Sequence, residues 1–464
     1  MSLAIDNMSN NIKNIQLNPV KSTIIIGIPI IVLYILNSLY SFIDIYWING
    51  IGTSAIICMG YISNFIYSIN NLGDGIGRSS NILISNAFGA GEIEKTRKYG
   101  EHGLIIIIVL SIIIPLIFLP LIKPICTMAN IGDYSDMIFA YIAPCLGFVI
   151  IIMINNFFSA ILGSEGDTKR ATIIIIIGNV VNIILDPILI FNLKLGMMGA
   201  AIATVLGGVI SCLLFIYLYS VKNDTMVKIN LREFKLDMNI LKEIIILAIP
   251  IILTGIILSV IGLIITYSLH SYVSPLTAFS YTIILNILGT LFTPIQGVLK
   301  GLCIVTGHLA GAKRFIELKK TVIKIFLLGI VISVVIALVL VLFHNPLINI
   351  FTTEQTVMGE VENMLIFIII HILSFPILMG GFNVFLGLEK SSYPLIFLIS
   401  NIIILTISIG LFNYLGLSSL GIYISIILSN SSEALAIIIV LRRLLNKKIA
   451  QYESENETEI IDSA

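Results

Sequence analysis

Charged residues are scarce in this chain of 464 residues. Asp, Glu, Lys and Arg make up only 11% of it, whereas 58% of the residues are hydrophobic. Soluble domains carry roughly one quarter charged residues, so this composition excludes a soluble globular protein. The five cysteines have no paired spacing typical of a disulfide framework or a zinc site. No Walker A pattern occurs, which excludes a P-loop ATPase within the chain. We expect neither enzymatic activity nor a cofactor.

Long apolar runs dominate instead. Windows of about 20 apolar residues mark membrane spans. The first window is too long, and too poor in small residues, to be a cleavable secretory signal. The sequence predicts an all-α polytopic membrane protein. Its twelve transmembrane helices are centred roughly at residues 22–46, 53–86, 103–121, 137–160, 171–191, 198–219, 243–268, 276–306, 322–343, 364–386, 393–412 and 420–441.

Basic residues are segregated between alternate loops. The loops on one side contain only Lys123 and Lys194, and nearly all the other Lys and Arg residues lie in the alternate loops or the termini. Because basic residues are enriched in cytoplasmic loops, we expect a multi-pass protein of the plasma (inner) membrane with both termini in the cytoplasm.

The two halves of the chain are repeats of each other. Matching residues recur 220 to 224 positions apart, among them Pro29 with Pro250, Glu165 with Glu389 and Gly199 with Gly421. An even number of spans per half gives both halves the same orientation, so the sequence predicts two six-helix lobes related by a parallel repeat.

The repeat divides the chain into five segments, with the long basic loop as the expected hinge between rocking lobes. We expect the acidic tail after Asn446 to be disordered. The segments are a cytoplasmic N-terminal segment at 1–21, an N-lobe at 22–219, a cytoplasmic inter-lobe loop at 220–242, a C-lobe at 243–441 and a cytoplasmic polar tail at 442–464.

Two spans of the first half carry polar residues at positions i, i+3 and i+7, which places each set on one face of a helix. They are Asn37, Tyr40 and Asp44 in the first span, and Asn179, Asn182 and Asp186 in the fifth. An ionisable group at membrane depth costs several kcal/mol, so it is a candidate functional residue. The alternative is an interfacial Asp186 that merely ends a helix before Pro187.

Helix geometry brings these residues to a similar depth. At 1.5 Å per residue, Asp44 lies about 33 Å along its span and Asp186 about 27 Å along its own. Thr204 lies about one turn into the sixth span from its predicted outer end. Such oxygen donors suit a small cation, and two neighbouring carboxylates could alternatively share a proton. At the repeat offset the second half has Ile265 and Ile407 or Ser408, so it lacks these acids.

A few other charged residues and histidines lie within or near spans. Asp74 and Arg78 are spaced i, i+4 and are expected to neutralise each other. Lys300 and Glu433 could form a pair in the C-lobe or inner cavity, with a structural or a substrate-contacting role. The histidines are interpreted as interfacial residues near span ends, and they are His270, His308 and His371.

Several motifs together resemble the multidrug and toxic compound extrusion (MATE) family over about residues 20 to 445. They are Leu39-Tyr40-Ser41-Phe42-Ile43-Asp44, Gly89-Ala90-Gly91-Glu92, Glu165-Gly166-Asp167-Thr168-Lys169-Arg170, Asn182-Ile183-Ile184-Leu185-Asp186-Pro187, Leu195-Gly196 with Gly199-Ala200-Ala201-Ile202-Ala203-Thr204, Pro294-Ile295-Gln296-Gly297 and Gly311-Ala312-Lys313-Arg314. Residues 244–270 and 364–386 contain no acid, which makes the chain most similar to the DinF-like branch.

The resemblance implies an antiporter that exports drug-like, often cationic compounds in exchange for sodium ions or protons by alternating access. Asp44, Asn182, Asp186 and Thr204 match positions that the family uses for cation coupling, with sodium as the possible metal at the two acids. The further polar cavity would include Tyr40, Asn37, Asn179 and Asn156, with Asn155 the alternative to Asn156.

Other functions remain to be weighed against export. The main alternative is a lipid or lipid-linked saccharide flippase of the same wider superfamily, which would need several basic cavity residues; only Lys300 and Arg78 are candidates. A channel fits the two-fold repeat less well. The expected partners are small organic substrates and membrane lipids, without nucleic acid, and the expected state is a monomer.

The topology can be tested by labelling. Residues 311–320 should lie inside and residues 344–362 outside, because the basic residues cluster on the first side. Single cysteines placed in each loop of a variant without the native five should react differently with an impermeant thiol reagent. Only the cysteine in 344–362 should be labelled in intact cells. The opposite labelling pattern would contradict the topology.

Overall fold

The computed structural model describes the backbone of residues 10–128, 131–352 and 354–463. Within these residues the regular structure is helical and contains no strand. In chain order the α-helices are α1 (Asn10–Leu17), α2 (Pro19–Asn49), α3 (Thr53–Ala90), α4 (Ile93–Met128), α5 (Ser135–Gly147), α6 (Val149–Ser164), α7 (Thr168–Pro187), α8 (Gly196–Ile216), α9 (Met238–Tyr272), α10 (Pro275–Leu291), α11 (Thr293–Gly311), α12 (Phe315–Ile348), α13 (Gln355–Gly387), α14 (Ser392–Tyr414) and α15 (Ser418–Ser463).

These helices supply the twelve predicted spans and confirm the all-α polytopic fold. In the described part of the chain, nine helices are individually long and apolar enough to cross a membrane. Two further spans are broken: α5 and α6 are bent by 54° at Phe148, and α10 and α11 by 55° at Phe292. The remaining span is α3, a more polar helix that contains Asp74 and Arg78.

The chain divides into two compact units, each with its own packed interior. The first consists mainly of Val32–Ile252, and the second contains Asn14–Ile31 and the chain from Leu253 onward. Two division points lie inside long helices, three residues after Pro29 in α2 and three residues after Pro250 in α9, and a third follows Lys13 in α1. The part of α2 before Val32 therefore belongs to the second unit and the rest of α2 to the first. In α9 the order is reversed, with the change after Ile252.

Close contacts between helices explain why each part of α2 and α9 belongs to its unit. In the second unit, a Cβ atom added at Gly301 of α11 would lie 2.4 Å from the carbonyl oxygen of Thr23, so α2 and α11 pack almost backbone to backbone. In the first unit, a Cβ at Gly75 of α3 would lie 2.3 Å from Ile252 Cγ1 of α9. The Asn71 side chain also donates a hydrogen bond to the Ile252 carbonyl, at 3.4 Å.

The backbone itself repeats between the halves. Residues with positive φ recur 222 or 223 positions apart, at the turns that join successive spans. The matching pairs are Gly91 with Lys313, Gly166 with Glu389, Lys194 with Gly416 and Gly196 with Ser418. Since positive φ is uncommon outside glycine, four such pairs at one offset indicate that corresponding turns in the two halves have the same geometry.

The segment between α8 and α9, residues 223–237 (the connector), is fastened to the first unit through its backbone. Three of its N–H groups donate to side chains on α4 and on the turn between α6 and α7. The bonds join Val227 to Glu165 Oε1 (2.9 Å), Asn230 to Glu101 Oε1 (3.0 Å) and Asp237 to His102 Nε2 (2.8 Å). All three side chains are buried. The first unit therefore includes the connector and ends within α9. The predicted lobe boundaries stay a prediction.

The expected disorder after Asn446 is wrong, because α15 continues to Ser463. Lys319 Nζ donates to Asn446 Oδ1 at 2.8 Å, and Lys448 Nζ lies 5.1 Å from the centre of the Phe315 ring. Lys313 also pairs with Glu455 at 3.4 Å. These contacts with the turn before α12 and with α12 itself stabilise a polar segment that composition alone describes as unfolded.

The connector makes stability depend on pH through Glu165. Burial raises the pKa of this carboxyl to about 7, against the opposing effect of the Val227 N–H. The folded protein then binds a proton that the unfolded chain has lost, so the free energy of unfolding should fall as the pH rises from about 4.5 to about 7. Glu165→Gln keeps an acceptor for Val227 and should flatten that decline.

Thermal unfolding measured between about pH 4 and pH 8 would check this expectation. Glu94→Gln, at an exposed position of α4, is the matched control and should leave the pH dependence as in the wild type. An equal pH dependence in wild type and Glu165→Gln would contradict the assignment to Glu165.

Candidate functional site

Helices α7 and α8 approach each other through two glycines in the first unit. A Cβ atom added at Gly207 would lie 2.5 Å from the Gly178 carbonyl oxygen, and one at Gly178 would lie 2.1 Å from Ser211 Oγ. Neither position therefore has room for a larger residue. This close approach sets the distance between the polar side chains that follow on the two helices.

Hydrogen bonds then connect three helices. Asn182 on α7 donates through Nδ2 to Thr204 Oγ1 on α8 at 3.3 Å, and Thr204 donates to the Ala200 carbonyl at 3.1 Å. One turn earlier on α7, Asn179 Nδ2 donates to Asn37 Oδ1 on α2 at 2.8 Å. The polar faces predicted on α2 and α7 do face each other.

The two carboxylates are buried beside this network. Asp44 on α2 is 7% exposed and Asp186 on α7 is fully buried. Among the described residues, no ion pair includes either of them. Both oxygens of Asp186, Oδ1 of Asp44 and Oδ1 of Asn182 are buried without a hydrogen-bond donor. Asp186 is close enough to Asp44 for their charges to interact. The four acceptor oxygens, from two acids and an amide, can accept protons or a small cation.

Asp186 is not the exposed end of a helix. The chain continues past Pro187 into a π-helical turn, Ile188–Asn192. Phe191 in this turn packs against Trp47 of α2, with ring centres 6.2 Å apart. The interpretation of Asp186 as an interfacial terminator therefore does not fit its surroundings.

Further residues of the site come from the broken span α5–α6. Tyr141 and Tyr40 both interact with the Thr204 hydroxyl, and Cys145 lies within electrostatic range of Asp44. Tyr141 and Cys145 were missed from sequence because they lie in an otherwise apolar run. Their i, i+4 spacing, which puts them on one helix face, is the signal that was available.

Of the two predicted alternatives Asn155 and Asn156, Asn155 has a described side-chain contact with α8. Asn155 Nδ2 donates to the Gly208 carbonyl on α8 at 2.9 Å. Gly208 lies one helical turn from Thr204, so Asn155 of α6 contacts the face of α8 that carries Thr204. Asn156 is half-buried on the next position of α6, and its carbonyl faces Gly77 of α3.

The structure also describes contacts of the other predicted charged residues. Arg78 Nε contacts Asp74 Oδ2 at 2.7 Å, which confirms the expected i, i+4 pair. Glu433 has a partner other than the predicted Lys300, because it accepts a hydrogen bond from Asn401 at 2.7 Å. His371 lies in the middle of α13 rather than near a span end. The interfacial interpretation is therefore wrong for His371.

A family model and several known proteins match large parts of this chain. The MatE family model matches residues 29–188 and 250–415. The chain is 28% identical over 343 residues to the multidrug export protein MepA of Staphylococcus aureus (strain NCTC 8325 / PS 47), covering 71% of this chain and 73% of the relative. It is 26% identical over 345 residues to the protein of the same name from Staphylococcus haemolyticus (strain JCSC1435), with the same coverage.

Solved structures are also similar. An outward-facing multidrug resistance MATE family transporter of the MOP superfamily superposes with a TM-score of 0.90 at 25% identity, covering 95% of this chain and 99% of the other. A MOP superfamily transporter from Pyrococcus furiosus Vc1 (DSM3638) gives the same values; for that protein, a binding pocket of reversed polarity suggests a different function.

The glycine contact can be tested by adding a single methyl group. Gly207→Ala places its Cβ 2.5 Å from a backbone oxygen and 2.9 Å from Asn182 Cβ, so α7 and α8 must separate. Overpacking of this kind costs about 1–3 kcal/mol, and Tm should fall measurably. Gly410→Ala on α14, whose added Cβ meets no atom within 4 Å, is the control and should keep Tm. Equal Tm values for the two variants would show that the contact is not required.

Proposed function

This chain belongs to the MatE family of multidrug efflux transporters, and on that basis we propose that it is a secondary active antiporter. In this proposal it exports amphipathic, often cationic organic compounds in exchange for sodium ions or protons. It acts as a monomer with both termini in the cytoplasm, and its two lobes alternate in their access to the two sides of the membrane.

One observation carries the proposal: two buried carboxylates on different helices, with acceptor oxygens that the protein leaves without donors. Buried like charges repel each other, so the pair Asp44 and Asp186 is costly when both are ionised and nothing else is bound. A sodium ion would be bound by the carboxylate and amide oxygens, which are the hard donors that such ions prefer. A proton would remove one of the charges instead.

Coupling follows if the cation binds one state of the transporter more tightly than the other. A ligand can shift a conformational equilibrium only by its difference in affinity for the two states. Entry of the cation to Asp44, Asn182, Asp186 and Thr204 then favours the state that releases the exported compound. Sodium and protons should compete, because both neutralise the same acids.

The flippase alternative gains no comparable support. A carrier of phosphate-bearing lipids would need unpaired basic residues along its cavity, and Arg78 is occupied by Asp74. The proteins with similar sequences are named as multidrug exporters.

The proposal predicts the effect of Asp186→Asn. This variant keeps the shape of the side chain and removes its charge, so it should reduce ion-driven efflux to the background level while expression and substrate binding are retained. Efflux from vesicles under separate sodium and proton gradients would be measured. Asp136→Asn, at an exposed residue that pairs with Lys123, is the control and should transport normally. Full efflux in both Asp44→Asn and Asp186→Asn would place the coupling site elsewhere.

A further inference from the structure

The second unit contains a separate cavity of about 320 Å³, formed by α9, α10, α13, α14 and α15 (the second-unit cavity). Its walls are mostly apolar and rich in rings, including Phe367, Phe375, Phe382 and Tyr423. Ligand pockets typically begin at this size and have such walls, with a few polar groups that orient the ligand. A single metal ion would leave most of the space and the ring surfaces uncovered.

Four polar side chains from three helices meet at the wall of this cavity. Asn401 Nδ2 on α14 donates to Glu433 Oε2 on α15 at 2.7 Å and lies 3.2 Å from Asn430 Oδ1. The Asn430 amide is 2.9 Å from His371 Nδ1 on α13. All four residues line the cavity. The chain of hydrogen bonds fixes the position of the Glu433 carboxyl group.

This network leaves acceptors without donors. Glu433 is only 6% exposed, yet its Oε1 atom has no hydrogen-bond partner among the residues that the structure describes, and neither has Oδ1 of Asn401. Glu433 is the one acid among the residues that line the cavity in the described structure, and no Lys or Arg lines it. A buried carboxylate without a cation is costly. A positively charged group that carries N–H donors would satisfy both acceptors.

We propose that the second-unit cavity binds a protonated amine with an aromatic or branched apolar body. The N–H groups of the ammonium donate to Glu433 Oε1 and Asn401 Oδ1, and the rings of the cavity cover the body and contact the cation. A quaternary ammonium has the charge but no N–H, so it leaves both acceptors unsatisfied. The proposal rests on the proposed export function and names its substrate class, at a site separate from Asp44 and Asp186.

The first test compares two probes that differ only at nitrogen: 4-phenylbutylamine and 4-phenylbutyltrimethylammonium. Binding to the full chain in nanodiscs of phosphatidylcholine would be measured by titration calorimetry. The primary amine should bind at least about tenfold more tightly than the quaternary compound, because hydrogen bonds to a charged partner are the strong ones. Equal affinity of the two probes, or no binding of the amine, would overturn the proposal.

Variants then locate the binding site. Glu433→Gln, which keeps the size of the side chain, should weaken amine binding by at least about tenfold, whereas Glu362→Gln, at an exposed acid of α13 that does not line the cavity, should leave it unchanged. Unchanged binding in Glu433→Gln would refute the assignment. Competition by phosphatidylethanolamine added to the nanodiscs would assign the cavity to a lipid headgroup and would likewise refute it.

The cavity itself can be narrowed without disturbing its polar wall. A Cβ atom at Gly262 of α9, which lines the cavity, meets no atom within 4 Å, and the same holds for Gly289 of α10, which does not line it. Gly262→Leu should therefore weaken amine binding, and Gly289→Leu should not. If the two variants bind the amine equally, the cavity is not the site.

The same measurements separate this inference from the proposed function. Calorimetric binding needs no ion gradient, so Asp186→Asn should bind the amine normally although its efflux is lost. Normal amine binding that depends on Glu433, in a chain that exports nothing under any gradient, would reject antiport and keep the amine site. Efflux that depends on Asp186, without amine binding at Glu433, would reject the amine site and keep antiport.

Discussion

A polar atom inside a membrane protein must find a partner within the protein or from a ligand, because the surrounding lipid offers none. Within each helix the backbone N–H and C=O groups bond to each other. Many buried hydroxyl groups donate a hydrogen bond to a carbonyl one turn back on the same helix. Several buried polar atoms of the described residues lack a hydrogen-bond partner. They include carboxylate oxygens of Asp44 and Asp186 in the first unit, and of Glu433 beside Asn401 in the second.

Positioning depends on small residues as much as on polar ones. Where α7 meets α8, and where α2 meets α11, glycines let two backbones approach within a distance that any side chain would prevent. Without a hydrophobic driving force between helices in lipid, such close packing is a main source of their association. The polar side chains that project one turn away then meet at fixed distances. The glycines therefore specify the site indirectly, although none of them bears a functional group.

The sequence predicts part of this arrangement well. Apolar windows define the spans, and the i, i+3, i+7 spacing of Asn37 to Asp44 and of Asn179 to Asp186 identifies the faces that meet in the first unit. The breaks at Phe148 and Phe292 were not predicted, although Gly147 directly precedes the first and Pro294 follows the second by two residues. The second-unit cavity is also hidden. His371, Asn401 and Glu433 lie on three different helices, and only packing shows that they converge. The helical tail depends in the same way on contacts with Lys319 and Phe315.

The division of the chain within α2 and α9 has a mechanical consequence. Proline has no amide hydrogen, so the helix lacks one backbone hydrogen bond at Pro29 and at Pro250, and bending there costs less than elsewhere along the helix. Each of these prolines lies three residues before the chain passes from one unit to the other. Two of the points where the chain passes between the units are therefore compliant joints of the same chemistry, placed at equivalent positions of a duplicated chain. Strain that arises in either unit can be absorbed there as a change of helix angle, while the hydrogen-bonded interior of each unit is preserved.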